Sequence, residues 1–138
     1  MSGIVNQVGA RSGVIGSIEM DIESGTWTPV QGSKLVTTGT FNSVGTYTKI
    51  NNHVWLIGRM WASGSSTTLE CQNSAGSCMG LPFTIASSYE APVTYTIGGT
   101  SSTGVGWAWS TSFYAYYGGT TWAATTNPVT VHLDYEIA

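Results

Sequence analysis

The stretch Gly45–Ala62, GTYTKINNHVWLIGRMWA, decides the fold that this sequence predicts. Its first part, Thr46–Ile50, is rich in β-branched and aromatic residues, which suit a pleated strand. Asn51-Asn52 follows as a tight-turn pair, because asparagine tolerates positive φ better than most residues do. A longer apolar segment then runs from His53 to Ala62. The pattern predicts a β-hairpin with a two-residue turn.

The second strand of this hairpin carries large apolar side chains on both faces, whereas an ordinary half-buried strand is apolar on one face only. Strand alternation assigns one face to Val54, Leu56, Gly58, Met60 and Ala62, and the other to His53, Trp55, Ile57, Arg59 and Trp61. One face can fill the core of a domain. The other needs a second cover, which would be a second sheet, another subunit or a flat ligand. We expect a subunit interface formed by Trp55, Ile57 and Trp61.

The rest of the chain predicts further short strands between glycine-rich turns. The clearest is 129–137, where Val129, Val131, Leu133, Tyr135 and Ile137 alternate with polar residues. Short strands are also predicted at 17–22 and 24–30, with a turn-rich connection at 31–40 and a loop at 64–68. No segment shows a sustained helical period. We therefore predict an all-β fold, an antiparallel β-sandwich or jelly-roll-like domain, over residues 18–138.

Residues 1–17 differ from this domain, because they combine small residues with isolated aliphatics and follow neither period. Such a segment cannot pack on itself. It is either a disordered terminus or an extended arm that becomes ordered on a neighbouring molecule. We expect an extended N-terminal attachment arm, whose candidate contact residues are Ile4, Val5, Val8, Arg11, Val14 and Ile15.

Composition restricts the function further. The chain has 138 residues, a net charge of −3 and only 8% charged residues, against about 25% in an average soluble protein. A subunit that hides much of its surface in an assembly suits such a composition. Four basic residues in all argue against nucleic-acid binding. No segment has the roughly 18 apolar residues of a membrane span, and no signal peptide is evident, so we expect folding in a cytoplasm.

The residues that commonly carry chemistry form no convincing catalytic or metal-binding set. The two histidines, His53 and His132, lie beside no nucleophile motif, and no P-loop, dinucleotide fingerprint or zinc motif occurs. We expect no enzyme activity, no cofactor and no metal. Glu19, Asp21 and Glu23 share one strand face, which is either a solvated acidic face, a contact for a basic partner or a calcium site. Cys71 and Cys78 are either free thiols or a loop-closing disulfide.

Aromatic residues crowd into one late span of the chain. Their flat faces can stack on sugar rings, or they can fill the core and a subunit interface. The candidate glycan-binding residues are Trp107, Trp109, Tyr114, Tyr116 and Trp122.

Three short motifs recur in a recognisable order: GTWTP at Gly25–Pro29, GTYTKI at Gly45–Ile50 with the apolar strand after it, and GLPF at Gly80–Phe83. Together with MSGIV at Met1–Val5 and RSGVIG at Arg11–Gly16, they resemble the C-terminal β-domains and N-termini of structural proteins of tailed bacteriophages, including tail-fibre-like proteins of marine and cyanobacterial phages. The resemblance implies a virion protein, commonly a homotrimer, with no catalytic residues to carry over.

This resemblance leaves the place on the virion open. A short arm and one β-domain without a stalk favour a capsid decoration, or cement, protein. The arm would then contact the major capsid protein while a trimer of β-domains stabilises the head. The alternative is a receptor-binding tip or a short tail or head fibre that binds a host surface glycan. A third possibility is a stand-alone lectin-like module.

Overall fold

The computed structural model describes residues 19–71, 77–87, 89–98, 100–114 and 122–138, with the backbone alone at 89–92 and 102–106. In this part of the chain the structure is all-β, with no helix, and every strand pairing is antiparallel. The predicted all-β sandwich is confirmed. The predicted arm, residues 1–17, lies outside the described residues. The strands are β1 (Ile22–Trp27), β2 (Leu35–Ile50), β3 (His53–Cys71), β4 (Met79–Gly80), β5 (Tyr89–Ile97), β6 (Thr100–Trp109), β7 (Ser112–Tyr114), β8 (Trp122–Thr125) and β9 (Val129–Glu136).

The predicted hairpin is the pair β2–β3. Ile50 pairs with His53, so the turn contains the two residues Asn51 and Asn52. Asn51 has a φ of 54°, in the left-handed region that asparagine tolerates. The prediction of a two-residue asparagine turn is therefore confirmed.

The hairpin is longer than the sequence predicted, because strand continues through 35–40 and 64–68, where we expected a connection and a loop. The ladder shifts register between Thr38 and Thr40. Gly39 has a φ of 94° and Gly64 a φ of 126°, conformations that glycine adopts without strain. Irregularities of this kind bend a hairpin. Before the bend β3 pairs with β9, and after it β3 pairs with β8.

The strands follow the order β1-β2-β3-β9-β5-β6-β7-β4, with β8 paired to β3. The segment after β1 then lies beside β4, since Gly80 N–H donates to the Val30 carbonyl and Gly32 N–H donates to the Cys78 carbonyl, both at 2.9 Å. The last strand of the order, β4, is thus hydrogen-bonded to the segment that follows the first strand, β1. This return encloses one core between facing layers.

The core consists of the inward side chains of these strands. On β9, Val129, Val131, Leu133 and Tyr135 are buried, whereas His132, Asp134 and Glu136 are exposed, as the alternation predicted. On β3, Val54, Leu56, Gly58 and Met60 are buried. The inner face of the hairpin therefore fills the core, as predicted. Tyr135, the largest fully buried side chain, exchanges hydrogen bonds with the backbone of Phe83.

Cys71 and Cys78 are both buried free thiols in this core. A hydrogen bond with the Cys71 thiol, together with burial, raises the pKa of the Cys78 thiol well above its ordinary value. Both cysteines therefore behave as small apolar core residues in this structure.

One aromatic side chain attaches the edge strand β1 to the core. Trp27 lies across the inner face of β2 over Gly45, where any Cβ would collide with the indole ring. Gly45 and Gly58 of β3 together form a glycine slot for this ring, and a Cβ at Gly58 would lie 3.5 Å from it. The indole Nε1–H donates to the carbonyl of Gly80 at 3.4 Å. Trp27 thus connects β1 to β2, β3 and β4.

A second aromatic residue extends this packing. Tyr47 lies over Gly25 of β1, where a Cβ would be 2.7 Å from the phenol oxygen. Its ring meets Phe83 edge-on, with a centroid distance of 4.9 Å. The ammonium of Lys49 lies 5.9 Å from the centroid of the same Phe83 ring. The motifs GTWTP, GTYTKI and GLPF therefore meet in one packing unit.

The glycine slot can be tested by filling it. Gly45→Ala should destabilise the protein by about 1–3 kcal/mol, because overpacking forces Trp27 out of its place. Gly58→Ala, in the same slot, should cost less, since its nearest neighbour is the flexible Met79 side chain at 3.3 Å. Urea unfolding monitored by circular dichroism measures both.

The cause can be separated from a backbone effect by a double-mutant cycle. In a Trp27→Leu background, Gly45→Ala should lose most of its cost, because the colliding ring is gone. An equal cost in both backgrounds would show that the collision with Trp27 is not the reason for the glycine.

Candidate functional site

The strand register places a broad surface on the outside of β1, β2, β3, β9 and β5. Residues directly opposite each other in an antiparallel ladder point to the same face. One row of this outer face contains Ser24, Thr48, Trp55 and Asp134, and the next contains Thr26, Thr46, Ile57, His132 and Thr94. The outer face therefore has an apolar centre on β3, flanked by threonines on one side and by titratable groups on the other.

The centre of the outer face is open to solvent. Trp55 is 46% exposed and Ile57 is 42% exposed, although the opposite face of the same strand is buried from Val54 to Met60. They line a groove of about 520 Å³ together with polar residues of the neighbouring strands. The polar members of that lining are Thr46, Thr48, Thr94, His132 and Asp134.

One edge of the groove is held by a histidine–aspartate pair. His53 Nε2 lies 2.9 Å from Asp134 Oδ2. The His53 ring also packs on Trp55, with a centroid distance of 4.4 Å. Asp134 thus holds the His53 ring, and the His53 ring supports one side of the exposed Trp55 indole.

The third predicted interface residue, Trp61, is placed differently from Trp55 and Ile57. Its side chain is half-buried, and the guanidinium of Arg59 lies 5.7 Å from its ring centroid. Trp61 shares the outer face, but Arg59 covers part of it. The apolar surface that remains for a partner is therefore mainly that of Trp55 and Ile57.

The predicted aromatic group divides between the surface and the core. Trp107, Trp109 and Tyr114 share one outer surface of β6 and β7, with centroid distances of 6.4 Å for Trp107–Trp109 and Trp107–Tyr114 and 6.5 Å for Trp109–Tyr114. The two indole planes differ by only 21°. Trp109 is 57% exposed. We call these three residues the aromatic triad.

The other two aromatic candidates do not belong to this surface. Trp122 is only 7% exposed and packs in the core against Tyr95, with a centroid distance of 5.8 Å, so its ring is not available to a ligand on the triad. Tyr116 lies outside the described residues, as do the six candidate arm residues from Ile4 to Ile15.

Sequence reasoning found Trp55 and Ile57 but missed the polar flank that accompanies them. His132 and Asp134 are among the polar residues that alternate along the last strand, and this alternation is visible in the sequence. The pairing of β9 with β3 is not, because five other described strands separate the two along the chain.

The acidic residues near β1 are engaged with a lysine. Lys49 Nζ lies 2.8 Å from Glu23 Oε2 and 3.3 Å from Asp21 Oδ2, and the Tyr47 hydroxyl donates to Glu23 Oε1 at 2.7 Å. Hydrogen bonds from Lys49 and then Tyr47 lower the pKa of the Glu23 carboxyl, and the bond to Glu23 raises the pKa of Lys49. These carboxylates tie β1 to β2, which favours a structural role over the calcium site considered from sequence.

The pKa of Glu23 makes this attachment sensitive to acid. Because the folded-state pKa is lowered, its contribution to stability is present above the ordinary value of 4.5 and is lost as pH falls through the lowered value. Glu23→Gln should therefore lower Tm at neutral pH, and the difference from wild type should shrink in acid. Glu70→Gln provides a charge control on β3. A Tm difference that stays constant down to acid pH would contradict this role.

Among the described residues, no group of three or more His, Cys, Asp or Glu side chains is arranged to hold a metal ion. The same part of the chain has no helix long and apolar enough to cross a membrane.

No family model matches the chain, and neither the curated proteins nor the solved structures contain a match to it.

Proposed function

We propose that this chain is a structural protein of a bacteriophage virion, a homotrimeric capsid decoration protein that stabilises the head. The observation that carries the proposal is the exposed apolar centre of the outer face, Trp55 and Ile57. The assignment to a virion and the trimeric state are what the resemblance of the sequence motifs to bacteriophage structural proteins implies. The arm, residues 1–17, would contact the major capsid protein, with assembly in the host cytoplasm.

The outer face has the character of a subunit interface. Covering the exposed half of Trp55 would remove on the order of 100 Å² from water, worth about 2.5 kcal/mol at 25 cal/mol per Å². On the β2 side, the flanking threonines carry no charge that would have to be desolvated, and charged residues are depleted at the centre of interfaces. On the β9 side, the Asp134 carboxylate of the groove is already paired with His53. The packing of His53 on Trp55 also reduces the entropy that the indole would lose on association.

The role is non-catalytic in this proposal. Of the two histidines on the outer face, His53 and His132, His53 is paired with Asp134 and packed on Trp55. These contacts account for its position as part of a surface that recognises another molecule. No nucleic acid, membrane or cofactor is part of the proposed role.

The interface can be tested by removing its apolar centre. The double variant Trp55→Ser/Ile57→Ser should be monomeric, whereas the wild type should have the mass of a trimer in size-exclusion chromatography with light scattering. Both side chains are substantially exposed, so the fold should be retained.

A matched control is Val36→Ser, which removes another exposed apolar residue, 40% exposed, beyond the bend of the hairpin. It should remain trimeric. If the double variant kept the wild-type mass, the outer face would not be the interface.

The place on the virion is tested by immunogold labelling of intact particles with antibody to this chain. Gold spread over the head is the expected result, with preimmune serum as the control. Gold confined to the tail tip would replace the decoration role by the alternative below. Absence of gold from all particles would overturn the virion proposal itself.

The second candidate function is that of a receptor-binding tip or a short tail or head fibre that binds a host surface glycan. The aromatic triad favours it, because Trp109 exposes more than half of its surface beside two rings that hold it. Exposed, oriented aromatic rings are typical of recognition surfaces.

A further inference from the structure

We propose that the aromatic triad and the groove beside it form a binding site for an uncharged oligosaccharide. The inference deepens the second candidate function by naming the chemistry of the ligand. It does not depend on the outer face or on where the chain sits on a virion.

The ladder of β6, β7 and β4 places the triad next to a groove. Trp109 pairs with Ser112, Ser112 pairs with Gly80, and Gly80 N–H donates to the Val30 carbonyl. These four residues form one row on the outer side, since the alternate residues Ala108, Phe113 and Met79 are buried. Three strand spacings of about 4.8 Å give a strip about 14 Å wide. Such a strip can contact more than one sugar ring.

The two ends of the strip are apolar and its middle is polar. Trp109 is 57% exposed at one end, and Val30 is 69% exposed at the other. Between them lies a groove of about 300 Å³, at the lower end of the roughly 300–1,000 Å³ of small-molecule sites. Its lining residues are Val30, Gln31, Gly32, Ser77, Gly80, Leu81, Thr111 and Ser112.

The chemistry of this lining selects the ligand class. The polar side chains, Ser77, Thr111, Ser112 and Gln31, are hydroxyls and one amide, and none of the eight lining residues is charged. The hydroxyls can both donate and accept hydrogen bonds, as sugar hydroxyls require, and the Gln31 amide oxygen can accept one. The apolar face of a pyranose can stack on the indole of Trp109. Charged sugars would lose hydration in this groove without gaining an opposite charge.

The site is held in place before any ligand arrives. The turn that follows Trp109 is fixed by two backbone hydrogen bonds of 2.8 Å, from Leu81 N–H to the Thr111 carbonyl and from Ile85 N–H to the Ser110 carbonyl. The amide of Gln31 donates to the Leu35 carbonyl at 2.7 Å and to Thr37 Oγ1 at 3.2 Å. Trp109 itself leans on Trp107 and Tyr114. Preorganisation of this kind lowers the entropy cost of binding.

The test uses the full chain and four probes: maltohexaose, cellohexaose and hexa-N-acetylchitohexaose as neutral oligosaccharides, and oligosialic acid as the charged control. Titration calorimetry should detect binding of at least one neutral hexasaccharide, with a change in tryptophan fluorescence, and no binding of oligosialic acid. Trp109→Ala should weaken that binding at least tenfold, and Trp109→Phe should retain part of it, because an aromatic face remains. Val36→Ala should bind as the wild type does.

Three results would overturn the proposal: no neutral hexasaccharide bound at millimolar concentration, equal binding by Trp109→Ala, or tighter binding of oligosialic acid. Light scattering on the same samples reports the oligomer separately. A trimer that binds none of the three neutral probes would support the proposed interface and contradict the saccharide site. A monomer that binds them would support the saccharide site and contradict the proposed interface.

Discussion

The contact between Trp27 and Gly45 is the constraint on which the first half of the structure depends. β1 is the end strand of the order and pairs along its length with β2 alone. The Trp27 indole of β1 lies in the glycine slot of β2 and β3 and donates to the Gly80 carbonyl of β4. A few residues after Trp27, Val30 bonds to Gly80 of β4 and Gly32 bonds to the adjacent Cys78. Trp27 therefore positions the segment that joins the two ends of the strand order.

This constraint gives the three sequence motifs, GTWTP, GTYTKI and GLPF, a role in packing. Trp27 packs over Gly45 and Tyr47 packs over Gly25, where a Cβ would collide with the ring, and Tyr47 in turn meets the Phe83 ring edge-on. The three motifs therefore form one packing unit of this β-domain. Of the two proposed recognition surfaces, Trp55–Ile57 lies on the apolar strand that follows GTYTKI, whereas the aromatic triad lies outside the motifs. The packing contacts of the motifs thus account for part of the fold and do not by themselves identify a function.

The sequence predicted those elements whose side chains alternate strongly and failed where they do not. The asparagine turn, the two faces of β3 and the alternation of β9 follow from local pattern. The strand at 35–40 was missed because only threonine and glycine follow Leu35 and Val36 and carry no apolar period, and pairing with β3 determines it. Among the aromatics, Trp109 and Trp122 looked alike, since their direction depends on strand pairing that brings distant segments together.

The two proposed recognition surfaces can operate together. The outer face is centred on β3, whereas the triad lies on β6 and β7, near the other end of the strand order. Association through Trp55 and Ile57 would therefore leave Trp109 available in every subunit. A single shallow site with one stacked ring binds a sugar weakly, but several such sites on one rigid oligomer raise the effective affinity by about 10²–10⁴ when the ligands are close together. An assembly interface on one set of strands thus gives a physical reason for a modest binding site on another.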